Sequence, residues 1–263
     1  MAKRRIRWGR MAMLFVPVFV IILLICTQCG GGSDTGEESS EAGNSGSSSV
    51  SDTSGAPVDA PDPFVVVLDA GHGGFDGGST AVGVTRLEKD DNLTLALATQ
   101  QALLKYPGVN VIMTRTTDDF ISLQDRCDVA NNAGADLFVS LHRNCATEGN
   151  GVEIWINRED DVVDKALAEY ILELLDEVGI SRNRGIKFGF RGVSGENSDN
   201  QGDSYYVNAN TDMPSCLVEL GFLTNDEDNA NFDKHLDDYA DAIARGIVEL
   251  GMDENLYNRT ALQ

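Results

Sequence analysis

Short, mainly apolar runs alternate along most of this chain with segments whose apolar residues recur at helical spacing, and few architectures accept that order. The runs are Phe64–Asp69, Val109–Met113, Leu137–Leu141, Val152–Ile156, Tyr205–Val207 and Ser215–Leu220. Runs this short and this apolar read as strands buried on both faces. Between them, Asn92–Leu104, Val162–Val178 and Leu236–Leu250 carry i, i+3, i+4 stripes; the clearest has apolar residues at 163, 166, 167, 170, 171, 174 and 175. Ser122 and Asp125 form a capping box that opens a further helix holding Arg126 and Ala130. The order predicts an α/β fold: a central, mostly parallel or mixed sheet of about six strands with helices on both faces. No internal repeat is visible.

The pattern begins only at residue 64. Before it, Lys3, Arg4, Arg5, Arg7 and Arg10 precede an apolar segment, Met11–Ile25, broken once by Pro17. A basic start followed by a short apolar run is the pattern of an export signal. The run is short for a spanning helix, which needs about 20 apolar residues. No small-x-small cleavage site comes after Ile25, and Ile25 or Gln28 before Cys26 or Cys29 fits a lipidation signal badly. An uncleaved signal anchor is therefore favoured over cleavage or lipidation, and each of the three exports the remainder of the chain. Residues 30–63 are Gly, Ser and acidic residues with almost no large apolar side chains, a composition that predicts a flexible tether. The expected organisation is 1–29 signal peptide or membrane anchor, 30–63 linker, 64–251 the one folded domain, and 252–263 a tail.

The formal net charge is −22, and about 20 of those negative charges fall on residues 64–263. So acidic a body repels phosphate backbones, which excludes nucleic acid as a partner and suits solubility outside the cell. The pair Cys26 and Cys29 lacks the βαβ context of a redox motif. Cys127, Cys145 and Cys216 are an odd set with no repeated spacing; one disulfide, Cys127 with Cys145, stays open as an expectation.

Two of the three histidines, His72 and His142, stand just past predicted strand ends, where ligands gather in α/β sheets. His235 sits on an Asp-rich helix start and reads as surface. Two imidazoles at adjacent strand ends begin a zinc site, which needs one more ligand and an open position for water. Many acids qualify as the third, and spacing alone does not choose between Glu88 as a ligand and Glu88 as an ordinary helix-start acid. The Gly-rich turn around His72 lacks the Lys-Ser/Thr of a phosphate loop. Glu219 raises a separate question: it lies inside Leu217-Val-Glu-Leu-Gly-Phe222, where a carboxylate needs something to meet.

Several motifs together resemble the zinc-dependent N-acetylmuramoyl-L-alanine amidases of the amidase-3 family. They are Leu68-Asp-Ala-Gly-His-Gly-Gly74, Glu88-Lys-Asp-Asp-Asn-Leu93, Thr114-Arg-Thr-Thr-Asp-Asp119, Leu123-Gln-Asp-Arg126 and Ala130-Asn131. Further along come Ser140-Leu-His-Arg-Asn144, Asn183-Arg-Gly-Ile-Lys187, and Met213-Pro214 through Leu217–Asn225. The resemblance implies that His72, Glu88 and His142 bind Zn2+ and that Glu219 is the catalytic carboxylate. It also implies a peptidoglycan substrate, cut at the amide joining the lactyl group of N-acetylmuramic acid to the L-alanine of the stem peptide. That chemistry is coherent: two His and one Glu leave zinc a place for water, and a nearby unligated acid can move that water's proton.

Other residues carry weaker expectations. Asp69 either orients an imidazole or caps its turn; Asn144 either touches substrate or holds its loop. Arg115 and Arg126 read as structural ion-pair partners. Arg143 and Cys145 depart from the small residues usual beside the second His motif, and Arg143 either reaches a substrate carboxylate or points to solvent. The stretch 188–204 is longer than expected and is predicted to border the cleft as a loop. Two other readings compete: a wall-binding or scaffold protein that no longer turns over, and a zinc carboxypeptidase, for which Arg143 would be the carboxylate grip. No wall-binding module is recognisable after residue 250, so targeting rests on the N-terminal segment, the loop or an activator protein.

Overall fold

The computed structural model describes residues 62–79, 85–158, 161–189 and 205–257. The expected signal segment, all but the end of the linker, the stretch 190–204 and residues 258–263 lie outside the described residues. The elements are β1 (Phe64–Ala70), α1 (Glu88–Leu103), β2 (Val109–Met113), α2 (Leu123–Ala133), β3 (Leu137–Asn144), β4 (Val152–Ile156), α3 (Val162–Val178), β5 (Asn183–Phe188), α4 (Tyr206–Asn210), β6 (Ser215–Phe222) and α5 (Asp226–Asp253).

One six-stranded mixed sheet runs in the order β2-β1-β3-β6-β4-β5. The first four strands are mutually parallel; β4 is antiparallel to β6, and β5 is parallel to β4. The apolar runs are explained by what covers them. Phe64, Val66, Leu68 and Ala70 join Leu137, Val139, Leu141 and Val218 in a core with Leu95 of α1, Ile171 of α3 and Ile243 of α5. Val65, Val67, Phe138 and Leu217 face the other way, onto Cys127 and Ala130 of α2 and Val207 of α4. With both faces covered, a strand has no polar side to show.

Local signals fall where expected. The Ser122 hydroxyl accepts from the Asp125 amide at the start of α2, and Gly134, in the left-handed region at φ 58°, closes it. Among the described residues no helix is long and apolar enough to cross a membrane.

Two elements depart from the sequence reading. Tyr205–Val207 is not a strand; residues 206–210 form the short helix α4, tied down where Asn208 Nδ2 donates to the Trp155 carbonyl (3.0 Å). The sixth strand is instead Asn183–Phe188, which pairs only with β4 and so stands at the sheet edge. The Cys127–Cys145 disulfide that the sequence left open does not form: both residues are thiols, as is Cys216. His235 stands at a kink (φ −116°, ψ 19°) where two helical stretches of α5 join, so it opens the second of them as expected, but it is half-buried rather than at the surface.

This topology sets a mouth where β1, β3 and β6 end and β4 and β5 begin. Because β6 lies between β3 and β4, the register sets Glu219 opposite His142 on one side and Glu153 on the other. Register partners point to the same face of a sheet. Asp228 closes the mouth from α5, its Oδ2 accepting from the amides of Gly151 (2.9 Å) and Phe222 (2.8 Å).

Candidate metal centre

The turn after β1 is held from below by two arginines. Arg126 donates to the carbonyls of Ala70 and His72 (2.7 Å each), and Arg115 to those of Ala70 (2.8 Å), Gly71 (2.9 Å) and Lys89 (2.8 Å). Arg126 also meets Asp69 at 2.5 Å. Arg115 thus differs from the sequence reading: it satisfies carbonyls rather than an acid.

Asp69 does not orient an imidazole. Its carboxylate accepts from Thr114 just past β2 (2.7 Å), Ser140 on β3 (2.7 Å) and Arg126 on α2. Burial alone would raise its pKa, but the Arg126 charge and the two hydroxyls outweigh that and hold it below the ordinary carboxylate value. Its work is to anchor Arg126, which in turn fixes the backbone of His72.

His72 itself sits at φ 61°, a conformation an L-residue with a bulky side chain rarely adopts. The turn folds back at once. Gly73 and Asp76 exchange backbone hydrogen bonds (2.9 and 3.1 Å), and the Asp76 carboxylate lies 2.8 Å from His72 Nδ1. That contact leaves Nε2 of His72 facing Glu88, 3.2 Å from Oε1. Burial alone would lower the His72 pKa, but Glu88 and Asp76 outweigh it and raise it.

Glu88 is the first residue of α1, which has no side-chain cap. Only 1% exposed, it turns Oε1 toward His142 Nδ1 (2.9 Å) and Oε2 to the Ser79 amide (2.6 Å). Burial would raise its pKa; the two imidazoles override this and hold it well below the usual carboxylate range. A helix N-terminus favours a carboxylate as well. His142 lies inside β3 rather than past it, and its ring covers Gly71 so closely that a Cβ there would stand 2.2 Å from the ring. The two imidazoles meet edge-on with centroids 4.9 Å apart.

His72, Glu88 and His142 each offer a donor atom, and these lie within 4.8 Å of one another. Donors sharing one zinc ion at ~2.1 Å stand ~3.4 Å apart in a tetrahedron, near the spacings of Glu88 to each imidazole. Two imidazoles and one carboxylate, with glycines in place of bulk at 71 and 78, fit that ion. Glu219, largely buried on β6, stands outside this group of three.

Asp76 is the residue the sequence reading missed. Its only signal was an acid between two pairs of glycines, and nothing but a tight reversal brings it back to His72. A carboxylate on the second ring nitrogen fixes the tautomer that presents Nε2. Asp76→Asn is therefore expected to weaken zinc binding by roughly 10- to 100-fold, read by competition with a chelator; unchanged affinity would remove Asp76 from the site.

Arg143 reaches neither substrate nor solvent. It is 1% exposed, donates to Asp91 Oδ2 (2.5 Å) and Asn229 Oδ1 (2.7 Å), and stacks over Phe232. Burial pushes its pKa down to about 10, so it stays charged at neutral pH. Asn144, 2% exposed, donates to Glu153 Oε1 (2.9 Å) and accepts from the Cys145 amide (2.8 Å), which holds the loop. Both side chains are buried and bonded within the protein.

Comparison with known proteins agrees in fold and family. Residues 66–249 match the family model for N-acetylmuramoyl-L-alanine amidase. The protein YqiI of Bacillus subtilis (strain 168) is 36% identical over 186 residues, 69% of this chain and 82% of that one. The N-acetylmuramoyl-L-alanine amidase CwlM of Bacillus licheniformis is 33% identical over 182 residues, 69% of this chain and 64% of its own length. The crystal structure of an N-acetylmuramoyl-L-alanine amidase from Clostridium difficile 630 superposes with a TM-score of 0.63 at 31% identity, covering 73% of this chain and 98% of that one.

Proposed function

This chain belongs to the N-acetylmuramoyl-L-alanine amidase family, and from that premise we propose that it hydrolyses peptidoglycan between the lactyl group of N-acetylmuramic acid and L-alanine, with zinc held by His72, Glu88 and His142. The observation that carries the reading is the convergence of those three donors beside Glu219, which shares the sheet face of His142 one strand away.

Bound zinc would supply Lewis acidity, which acidifies water toward a pKa of about 7 and polarises a carbonyl. The remaining work falls to the protein. Glu219 takes a proton from the attacking water onto its carboxylate and delivers it to the departing L-alanine nitrogen. The water oxygen bonds to the lactyl carbonyl carbon and the C–N bond then breaks; with both water protons passed to the nitrogen, the products are a carboxylate and an ammonium group. Asp76 keeps His72 in its binding tautomer, and the Asp69–Arg126 pair keeps the turn in place.

The carboxypeptidase reading loses its support, because the cation it relied on, Arg143, is buried and occupied by Asp91 and Asn229. The scaffold reading gains none from an intact donor set. The basic and apolar opening of the sequence supports export, with the domain acting at the outer face of the membrane or in the wall.

Chelation is the direct test of the cofactor. Treating the enzyme with a zinc chelator should abolish release of stem peptides, and adding zinc back should restore it. Activity that survives with no metal measurable in the protein would contradict the assignment.

A further inference from the structure

The motif Asn183–Lys187 forms the edge strand β5, which begins at the mouth of the sheet, and the reaction as described leaves it without a role. Arg184 stands out on it. Its Nε donates to Glu153 Oε2 at 2.7 Å, and Glu153 is in turn fixed by Asn144 Nδ2 (2.9 Å) and Trp155 Nε1 (3.2 Å). Its guanidinium lies over the Phe222 ring, 5.0 Å from the centroid, at the end of the strand that carries Glu219. One edge and one face of the guanidinium are therefore held. The Nη1 and Nη2 fork donates to none of the described residues, and the side chain is 27% exposed.

The cations around the metal centre are otherwise engaged. Arg126 is spent on Asp69, Arg143 on Asp91, Lys89 on Asp118 and the Gly74 carbonyl, and Arg86 on Asp91 and Asp233. Lys187 sits opposite Trp155, further from the mouth. In a body this acidic, an anionic peptide needs a local cation to settle against.

Resting on the amidase reading above, we infer that Arg184 recognises the free α-carboxylate of the acidic second residue of the stem peptide. The reach fits. Strands stand ~4.8 Å apart, so β5 starts about three strand widths from β3, and the Arg184 side chain leans back over the end of β6. The α-carboxylate of a γ-linked glutamate after L-alanine lies one to two extended residues, at ~3.5 Å each, from the scissile amide. A preheld guanidinium fork matches a carboxylate with two parallel hydrogen bonds, which a lysine does not reproduce. A carboxypeptidase would need its cation a single residue from the metal, nearer than β5.

The test uses the full chain and two muramoyl-peptide substrates, with free glutamate or its α-carboxamide at the second position. For Arg184→Ala, KM on the free-carboxylate substrate should rise about ten-fold or more with kcat little changed, since a charge-assisted hydrogen bond has that worth. On the carboxamide, which accepts only a neutral hydrogen bond, the loss should be several-fold smaller, and a circular dichroism spectrum matching the wild type shows that the variant is folded. Arg184→Lys, which keeps the charge beside Glu153, should fall between. In the wild type, the L-alanyl-γ-glutamyl peptide should inhibit about ten-fold better than its amide. Equal loss on both substrates, no loss on either, or equal inhibition by the two peptides would overturn the inference. A wild-type enzyme that cleaves neither substrate would overturn the amidase reading, and this inference with it.

Discussion

Glu219→Gln is expected to bind zinc as tightly as the wild type and to lose about 10²- to 10⁴-fold in kcat, the usual contribution of a positioned proton carrier. The substitution keeps size and hydrogen-bonding shape, so the β6 ladder on either side of residue 219 should persist. It removes only the capacity to take a proton at that oxygen. The metal should remain because the three converging donors are His72, Glu88 and His142, with Glu219 outside their group. Metal content and turnover measured on the same preparation separate the outcomes. Loss of zinc would mean that Glu88 and Glu219 have exchanged roles; an unchanged rate would favour a binding protein on this fold.

Substitution of His72 should have the opposite profile, removing zinc and turnover together. It also exposes a conflict between site and stability. His72 holds φ 61°, a region that costs an L-residue about 1–2 kcal/mol. The arginine clamps on the Ala70, Gly71 and His72 carbonyls impose that conformation, which aims the ring at Glu88. Both His72→Gly and His72→Ala lose the ligand, but only glycine relieves the backbone. His72→Gly should therefore be about 1 kcal/mol more stable than His72→Ala by denaturant unfolding, with both inactive and free of zinc. Equal stability would mean that the turn relaxes out of this conformation, and retained zinc in either variant would remove His72 from the metal site.

Much of the sheet was legible because burial on both faces strips polar side chains from β1, β3 and β6. The edge strand β5 escaped for the same reason in reverse: it pairs on one side only, and Asn183-Arg-Gly-Ile-Lys-Phe188 needs no apolar run. Tyr205–Val207 misled because a helix of five residues is too short to display its period. Within the site, the two histidines declared themselves by their place near strand ends, whereas Glu88 emerged only through the family motif. Arg143 was misread because β3 runs on to Asn144. Alternation along that strand sends residue 143 to the face opposite His142, where Asp91 of α1 and Asn229 of α5 wait for it. Asp76 was hidden by a turn whose reversal depends on Gly73 and Gly74, both at positive φ.

The central claim is that this constellation cuts one particular amide, and the products decide it. Purified enzyme incubated with intact peptidoglycan, with mass spectrometry of the soluble fraction, should release whole stem peptides with a free L-alanine amino terminus and leave the glycan strands uncut. Release should stop on chelation and in Glu219→Gln. Peptides shortened at their carboxyl end, with L-alanine still joined to muramic acid, would contradict the account.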